Sequence, residues 1–386
     1  MSHVTGAASP PRLAIGVTSR NAVDATIASA ARHRQRLMLI ASRAQIDGPE
    51  FGGGYVEGWT SEDLVEYVRS RDAPGRVTVC RDHGGPWQHV AESAAGPDES
   101  EAMASSLRSF QRDIAAGFEV LHIDTSRDHH PPAARGAAVR RLVTLYQQCH
   151  EFARSRGRTV HFEVGVEEQS TAVGDVSGFR AVLTELTDRL TALSLPRPLF
   201  AVAQTGTRVV ETENRGALVD DPRAVGQAIR GLAEVCRQAG VGLKAHNVDY
   251  LRDAALRTML DNGVTALNVA PEFGVTETRA YLDLLDILGL TRQREAFLEL
   301  AYGSGAWRKW LGSPSAADDL QRAVLAGHYV FGTDRFRELK AEVESVCAAR
   351  GLTVDGWLRS ALERAMGRYV RVLDPAVRER ESVGLR

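Results

Sequence analysis

The chain is poor in cysteine, in net charge and in long apolar runs, and each shortage removes a class of protein. Its four cysteines, Cys80, Cys149, Cys236 and Cys347, are far apart with no CxxC pair, which argues against a structural zinc site and against a disulfide framework. A formal net charge of -2 over 386 residues offers no electrostatic case for nucleic acid or an anionic membrane as partner. No apolar run approaches the length of a membrane span, and Met1 to Pro11 lacks the apolar centre of a signal peptide. The expectation is a soluble protein in a reducing, cytoplasmic setting.

What is present is an ordinary globular composition, 44% hydrophobic and 25% charged, on a chain long enough for one large domain and an extension. Short apolar runs alternate with helical spacing. LAIGVTS, LMLIAS, the run that opens VTVCRDHGGPW, VLHIDTS, TVHFEVG, PLFAVAQ, VGLKAH and ALNVA read as eight strands. Helical stretches separate them, among them Asn21 to Arg34, a capped start at Thr60 to Asp63, Glu101 to Gly117, Arg135 to Arg156, Gly178 to Leu193 and Thr276 to Leu288. Eight strand–helix units in residues 12–290 are the count and size of a (β/α)₈ TIM barrel, ahead of a doubly wound open sheet. Residues 291–386, charged and helical with Trp307, Trp310, Tyr329, Phe331 and Trp357 as anchors, read as a helical C-terminal extension and a candidate oligomer contact.

VTVCRDHGGPW, Val77 to Trp87, is the most informative stretch. Its β-branched run leads into Asp82-His83 and is stopped by Gly84-Gly85-Pro86, which puts a carboxylate and an imidazole at a strand's C-terminal end. In parallel α/β proteins ligands bind at that end. Period two then sorts the other strands. His122, Asp124 and Ser126 share one parity, as do His161, Glu163, Gly165 and Glu167, and Lys244 and His246. The alternate residues Leu121, Ile123, Val160, Phe162, Leu243 and Ala245 suit the face that packs on helices. Buried polar groups need partners or water, and the barrel mouth provides both. His122 and His161 read as hydrogen-bonding lumen residues more than as ligands, and His129-His130, beside Pro131-Pro132, as an exposed loop.

VTSRNAVDATIASAA, LIASRAQID with FGGGYV, RDHGGPW, LHIDTS, FEVGVEE, AVAQTG, KAHNVDYL and LNVAPEFG stand in the same order as motifs of the D-tagatose-bisphosphate aldolase accessory ("non-catalytic") subunit family, which the chain resembles over nearly the whole barrel. That family is similar to metal-dependent 4-epimerases of tagaturonate, fructose or tagatose 6-phosphate, and FEVGVEE resembles the epimerase branch. The resemblance implies a divalent metal, Zn²⁺ or Mn²⁺, held by His83, Glu163 and His246, with Glu163 preferred to Glu167 in a register that either fits. It implies Asp82, Asp124 and Glu167 as general bases and acids, and Gln45, Gln204, Asn247 and Asp249 as substrate contacts, to which Arg81 and Asn268 are added as this chain's own candidate contacts.

The chain also departs from the family pattern. Arg81 replaces a glycine, Asn268 a lysine, Trp87-Gln88 an asparagine-containing run, and Gly48 to Phe51 is inserted in the second loop. Loss of the lysine removes a cation for phosphate, while Arg81 adds one elsewhere. The expected function is a metal-dependent epimerase or aldolase acting on a ketose, sugar acid or sugar phosphate by an enediolate or retro-aldol step. The alternative is a non-catalytic barrel that stabilises a separate class II aldolase subunit.

Overall fold

The computed structural model describes residues 12–128, 135–166 and 170–374. Ten strands appear in it: β1 (Leu13–Gly16), β2 (Leu37–Ala41), β3 (Val77–Gly84), β4 (Val120–Asp124), β5 (His161–Gly165), β6 (Phe200–Val202), β7 (Arg208–Val210), β8 (Glu213–Arg215), β9 (Gly242–Ala245) and β10 (Ala266–Val269). Eight of them close a barrel in the order β1-β2-β3-β4-β5-β6-β9-β10, every pairing parallel, with helices in the connections. This is the expected (β/α)₈ barrel. β7 and β8 form an antiparallel hairpin outside it, inserted after β6.

Strand parity separates two apolar layers. Leu39, Val79, Leu121, Ile123, Phe162, Leu243, Ala245 and Leu267 face outward into one large core shared with the helices. Ala14, Met38, Ile40, Cys80, Val120, Phe200 and Ala266 face inward and plug the lumen toward the strands' N-terminal ends. Each large side chain buried in such layers contributes about 1.5–3 kcal/mol. The plug fixes the floor above which polar side chains gather.

The helices carry the sequence signals that form them. Thr60 closes a capping box with Asp63 on helix Ser61–Arg69, as its spacing leads one to expect. Helix Pro271–Leu288 starts five residues before the expected Thr276, for a tertiary reason. Pro271 suits a first helical turn, and the Asp249 carboxylate, 22 residues earlier, accepts the backbone N–H groups of Ala270 and Glu272, both at 2.9 Å. A cap supplied from another loop has no local signature.

Beyond the barrel, helices Thr291–Gly303, Asp319–Ala326, Asp334–Ala348 and Val354–Leu373 follow. Phe297, Phe331, Phe336 and Val343 pack on the outward side of helix Pro271–Leu288 around Tyr281, and Trp307, Trp310 and Trp357 sit against this second core. The last helix turns back: Leu362, Met366, Tyr369 and Val370 join the barrel's own core, next to helix Arg20–His33.

Candidate metal centre at the barrel mouth

Adjacent strand residues normally face opposite ways, so Asp82 and His83 need a local device to share one site. The β3–β4 register shifts between Arg81 and Gly84, and His83 takes a left-handed φ of 43°. Gly85 follows with φ 152°, where a Cβ would lie 2.0 Å from the Asp124 carbonyl oxygen, so only glycine fits. The bulge brings both side chains to the mouth.

There His83, His122 and His246 form a triangle with ring centroids 5.0, 5.0 and 5.1 Å apart. Each of two rings is backed by a carboxylate: Asp124 Oδ2 lies 2.6 Å from His83 Nδ1, and Glu163 Oε1 lies 2.7 Å from His246 Nε2. Their other nitrogens, His83 Nε2 and His246 Nδ1, face each other at 3.2 Å. Asp82 Oδ1 stands 3.9 Å from His83 Nε2 and 3.8 Å from His122 Nδ1, and accepts from Asn268 Nδ2 at 3.3 Å. His122 Nδ1 accepts the His83 backbone N–H at 3.2 Å, while its Nε2 is buried without a partner. Ligand atoms of Asp82, His83, His122 and His246 all lie within 4.8 Å of one another.

The charges in this cluster set one another. Burial works to raise the Asp82 carboxyl, but the imidazoles of His83, His122 and His246 outweigh it and hold it well below the usual carboxylate range. Glu163 is likewise resisted by burial and held low by Lys244 and the two nearer histidines. Asp124, also buried, is held low by His83. Burial lowers His246, to about 4, whereas the half-buried His83 is raised to about 9 by Asp82, Asp124 and Glu163. With the side chains alone, a proton therefore resides between two facing ring nitrogens. Without that proton the two nitrogens would present lone pairs 3.2 Å apart, each ring having its far nitrogen turned to a carboxylate, an arrangement that could hold a metal ion.

Of the residues expected from the sequence, Asp82, His83, Asp124, Glu163, His246 and Asn268 converge here, and Glu167 lies outside the described residues, as do His129 and His130. Arg81 is a correction. It is 1% exposed and points out of the barrel, with Nε and Nη2 on the Asp113 carboxylate at 2.7 and 2.6 Å and Nη1 on the carbonyls of Ala41 and Ile46. Strand parity forces this, one residue before the bulge. Asp249 is a second correction, since its carboxylate caps helix Pro271–Leu288, and burial beside Glu272 pushes it up to about 7.

Gln45 accepts from Ser42 N and Oγ in the turn after β2, and Gln204 accepts the Ser170 backbone N–H at 2.9 Å. Asn247 holds a left-handed φ of 55°, its carbonyl taken by Asn214 Nδ2 of β8. Thr207 Oγ1 donates to the His246 carbonyl at 3.0 Å, so the segment around the inserted hairpin straps the segment that carries the histidine. His161 is exposed at the N-terminal start of β5, away from the mouth. His122, expected as a hydrogen-bonding lumen residue, accepts such a bond and also stands in the group that could hold a metal, whereas sequence reasoning assigned no role to Lys244, whose Nζ lies 2.6 Å from Glu163 Oε2 with both groups buried. Parity was the only signal for either.

No family model matches the chain. In sequence it is 24% identical over 268 residues to the D-tagatose-1,6-bisphosphate aldolase subunit GatZ of Escherichia coli, a match covering 64% of this chain and 61% of that protein. The chain thus spans about three-fifths of the length of the curated relative it matches. In fold it is similar to a probable tagatose 6 phosphate kinase from Sinorhizobium meliloti, with TM-score 0.75 and 19% identity over 94% of this chain and 100% of that one. It is also similar to the fructuronate-tagaturonate epimerase UxaE from Cohnella laeviribosi, with TM-score 0.57 and 12% identity over 95% and 82% of the two chains. The chain is thus similar in sequence to a tagatose-bisphosphate aldolase subunit, and its barrel is similar in fold to both solved structures.

Proposed function

We propose that the chain is a metal-dependent epimerase or aldolase acting on a ketose, a keto sugar acid or their phosphates. The observation that carries this reading is the pair of facing nitrogens, His83 Nε2 and His246 Nδ1, each backed by a carboxylate. They are two ligands of a divalent ion, Zn²⁺ or Mn²⁺, with His122 the third donor. This set replaces the expected His83, Glu163 and His246, because both Glu163 oxygens are engaged, by Lys244 and by His246. Such an ion supplies Lewis acidity toward a ketose carbonyl and stabilises negative charge on its oxygens.

The remaining groups divide the work. Asp82, ionised and beside the ring nitrogens, is the proton acceptor at the substrate carbon or hydroxyl. Asp124, expected to share that role, has one oxygen on His83 and the other on the Ser126 backbone N–H, and orients the ring instead. Asn268 holds Asp82 and is placed to meet a substrate hydroxyl. Gln45, Gln204 and Asn247 remain proposed rim contacts. Residues 291–374 are proposed as an appended helical region. No described helix is long and apolar enough to cross a membrane, and a cytoplasmic location fits the free cysteines.

The name of the Escherichia coli relative favours a second reading, a subunit that supports a separate aldolase. One experiment separates them: metal analysis of the purified chain, then assay of ketoses, keto sugar acids and their phosphates with that chain alone. Conversion that requires the metal supports the enzyme. No conversion at saturating metal, together with higher activity of a co-expressed class II aldolase, replaces it with the accessory role.

A further inference from the structure

Lys244 is an unusual residue for its surroundings. It is 1% exposed inside the barrel, immediately above the apolar plug, with its Nζ 5.9 Å from the Phe200 ring centroid. A buried ammonium is costly unless closely paired, and this one meets Glu163 Oε2 at 2.6 Å. The other oxygen of the same carboxylate, Oε1, meets His246 Nε2 at 2.7 Å. Lys244 and His246 are two residues apart on the inward parity of one chain segment, and Glu163 reaches both from β5 across the lumen. β6 lies between β5 and β9, so the bridge spans the width of a strand.

An ionised carboxylate only accepts hydrogen bonds. With one oxygen held by an ammonium, Glu163 obliges His246 to carry its proton on Nε2, which leaves a lone pair on Nδ1. That Nδ1 is the atom 3.2 Å from His83 Nε2. We propose that the Lys244–Glu163 pair is a positioning device that fixes the tautomer and orientation of His246, so that its Nδ1 is the metal-binding atom. Neither residue touches the metal or the substrate in this role. The inference rests on the metal-centre reading above and adds to it which ring nitrogen binds and what sets it.

The test uses the full-length protein with ¹⁵N-labelled histidine. In the metal-free wild type, the His246 resonances are expected to show the proton on Nε2, and a proton on Nδ1 overturns the proposal. With ¹¹³Cd²⁺ bound, coupling is expected at His246 Nδ1, and coupling at Nε2 overturns it. Lys244→Met is expected to lower Zn²⁺ affinity about 10–100-fold in chelator competition, the usual effect of losing a group behind a ligand, and to leave His246 in mixed tautomers. Where that variant fails to fold because Glu163 is left unpaired, the neutral double variant Lys244→Met with Glu163→Gln takes its place, with the same two changes expected. Wild-type Zn²⁺ affinity together with a wild-type tautomer in the folded variant overturns the positioning role. A wild type that binds neither Zn²⁺ nor Cd²⁺ sinks the metal-centre reading instead, and the metal-free tautomer still decides what Lys244 and Glu163 do.

Discussion

Buried carboxylates at the barrel mouth and at the seam with the C-terminal helices have opposite fates. At the mouth Asp82, Asp124 and Glu163 are held low by imidazoles and an ammonium. At the seam Glu277, on helix Pro271–Leu288, accepts from Ser19 and from Asn21 Nδ2, yet burial, reinforced by Asp355, pushes it up to about 7. Asp249, serving as a cap, is raised similarly. All five carboxylates are buried, so burial alone does not decide the charge state. The difference lies in whether a cation reaches the carboxylate, and it separates a set of groups suited to chemistry from groups that pack and cap.

Removing the acceptor at the mouth is expected to have the largest effect. Asp82→Asn should lower turnover by roughly 10²–10⁴-fold while metal content stays stoichiometric, since the amide keeps the shape and loses the base. Metal analysis beside kinetics checks it, and loss of metal from the variant would make Asp82 a ligand.

The other face of the same strand should behave differently. Arg81→Met strands the buried Asp113 carboxylate, and breaking such a pair costs about 3–5 kcal/mol. Denaturant unfolding should report that loss, while KM for a substrate, measured where the variant is folded, should not move. A KM change confined to phosphorylated substrates would restore Arg81 to the binding site.

The mouth also couples to pH through His83, whose pKa is raised from 6.5 to about 9 in the metal-free cluster. A raised histidine contributes its stability fully below 6.5 and loses it as the pH climbs through 9. Metal at Nε2 displaces that proton, so calorimetry at pH 7 in buffers of different ionisation enthalpy should show release of about one proton, and affinity should rise with pH. Proton-neutral binding would place the metal elsewhere.

At the seam the sign is the same and the group is an acid. The neutral form of Glu277 fits the fold, so its contribution is complete below its ordinary 4.5 and is lost as the pH rises through about 7. Wild-type stability should fall by about 2–3 kcal/mol between pH 5 and 8 from this group, using about 1.4 kcal/mol per unit. Glu277→Gln should flatten that slope in urea titrations at several pH values, and an unchanged slope would assign the pH dependence to other groups.

Much of this was legible in the residues. Eight apolar runs in alternation with helical spacing specify a closed parallel barrel, because β-strands buried on both sides need a helix layer outside and a filled lumen within. Period two placed Asp124, Glu163, Lys244 and His246 inside with no structure in hand, and the Asp-His pair before three turn-forming residues marked the rim. Tertiary structure decided what depends on atoms distant in the chain. The bulge between Arg81 and Gly84 brought His83 to the face that parity already gives Asp82, opposite Arg81. Asp249 went to a helix that starts 22 residues later, and hydrogen bonds from Thr207 and Asn214 came to brace the segment around His246. Whether Glu163 is a metal ligand or the support of one turns on Lys244, two residues before His246 yet joined to it through a carboxylate from another strand. Periodicity reports which face a side chain occupies, whereas hydrogen-bond partners are set by three-dimensional register, and the chemistry of an imidazole depends on which of its nitrogens is already taken.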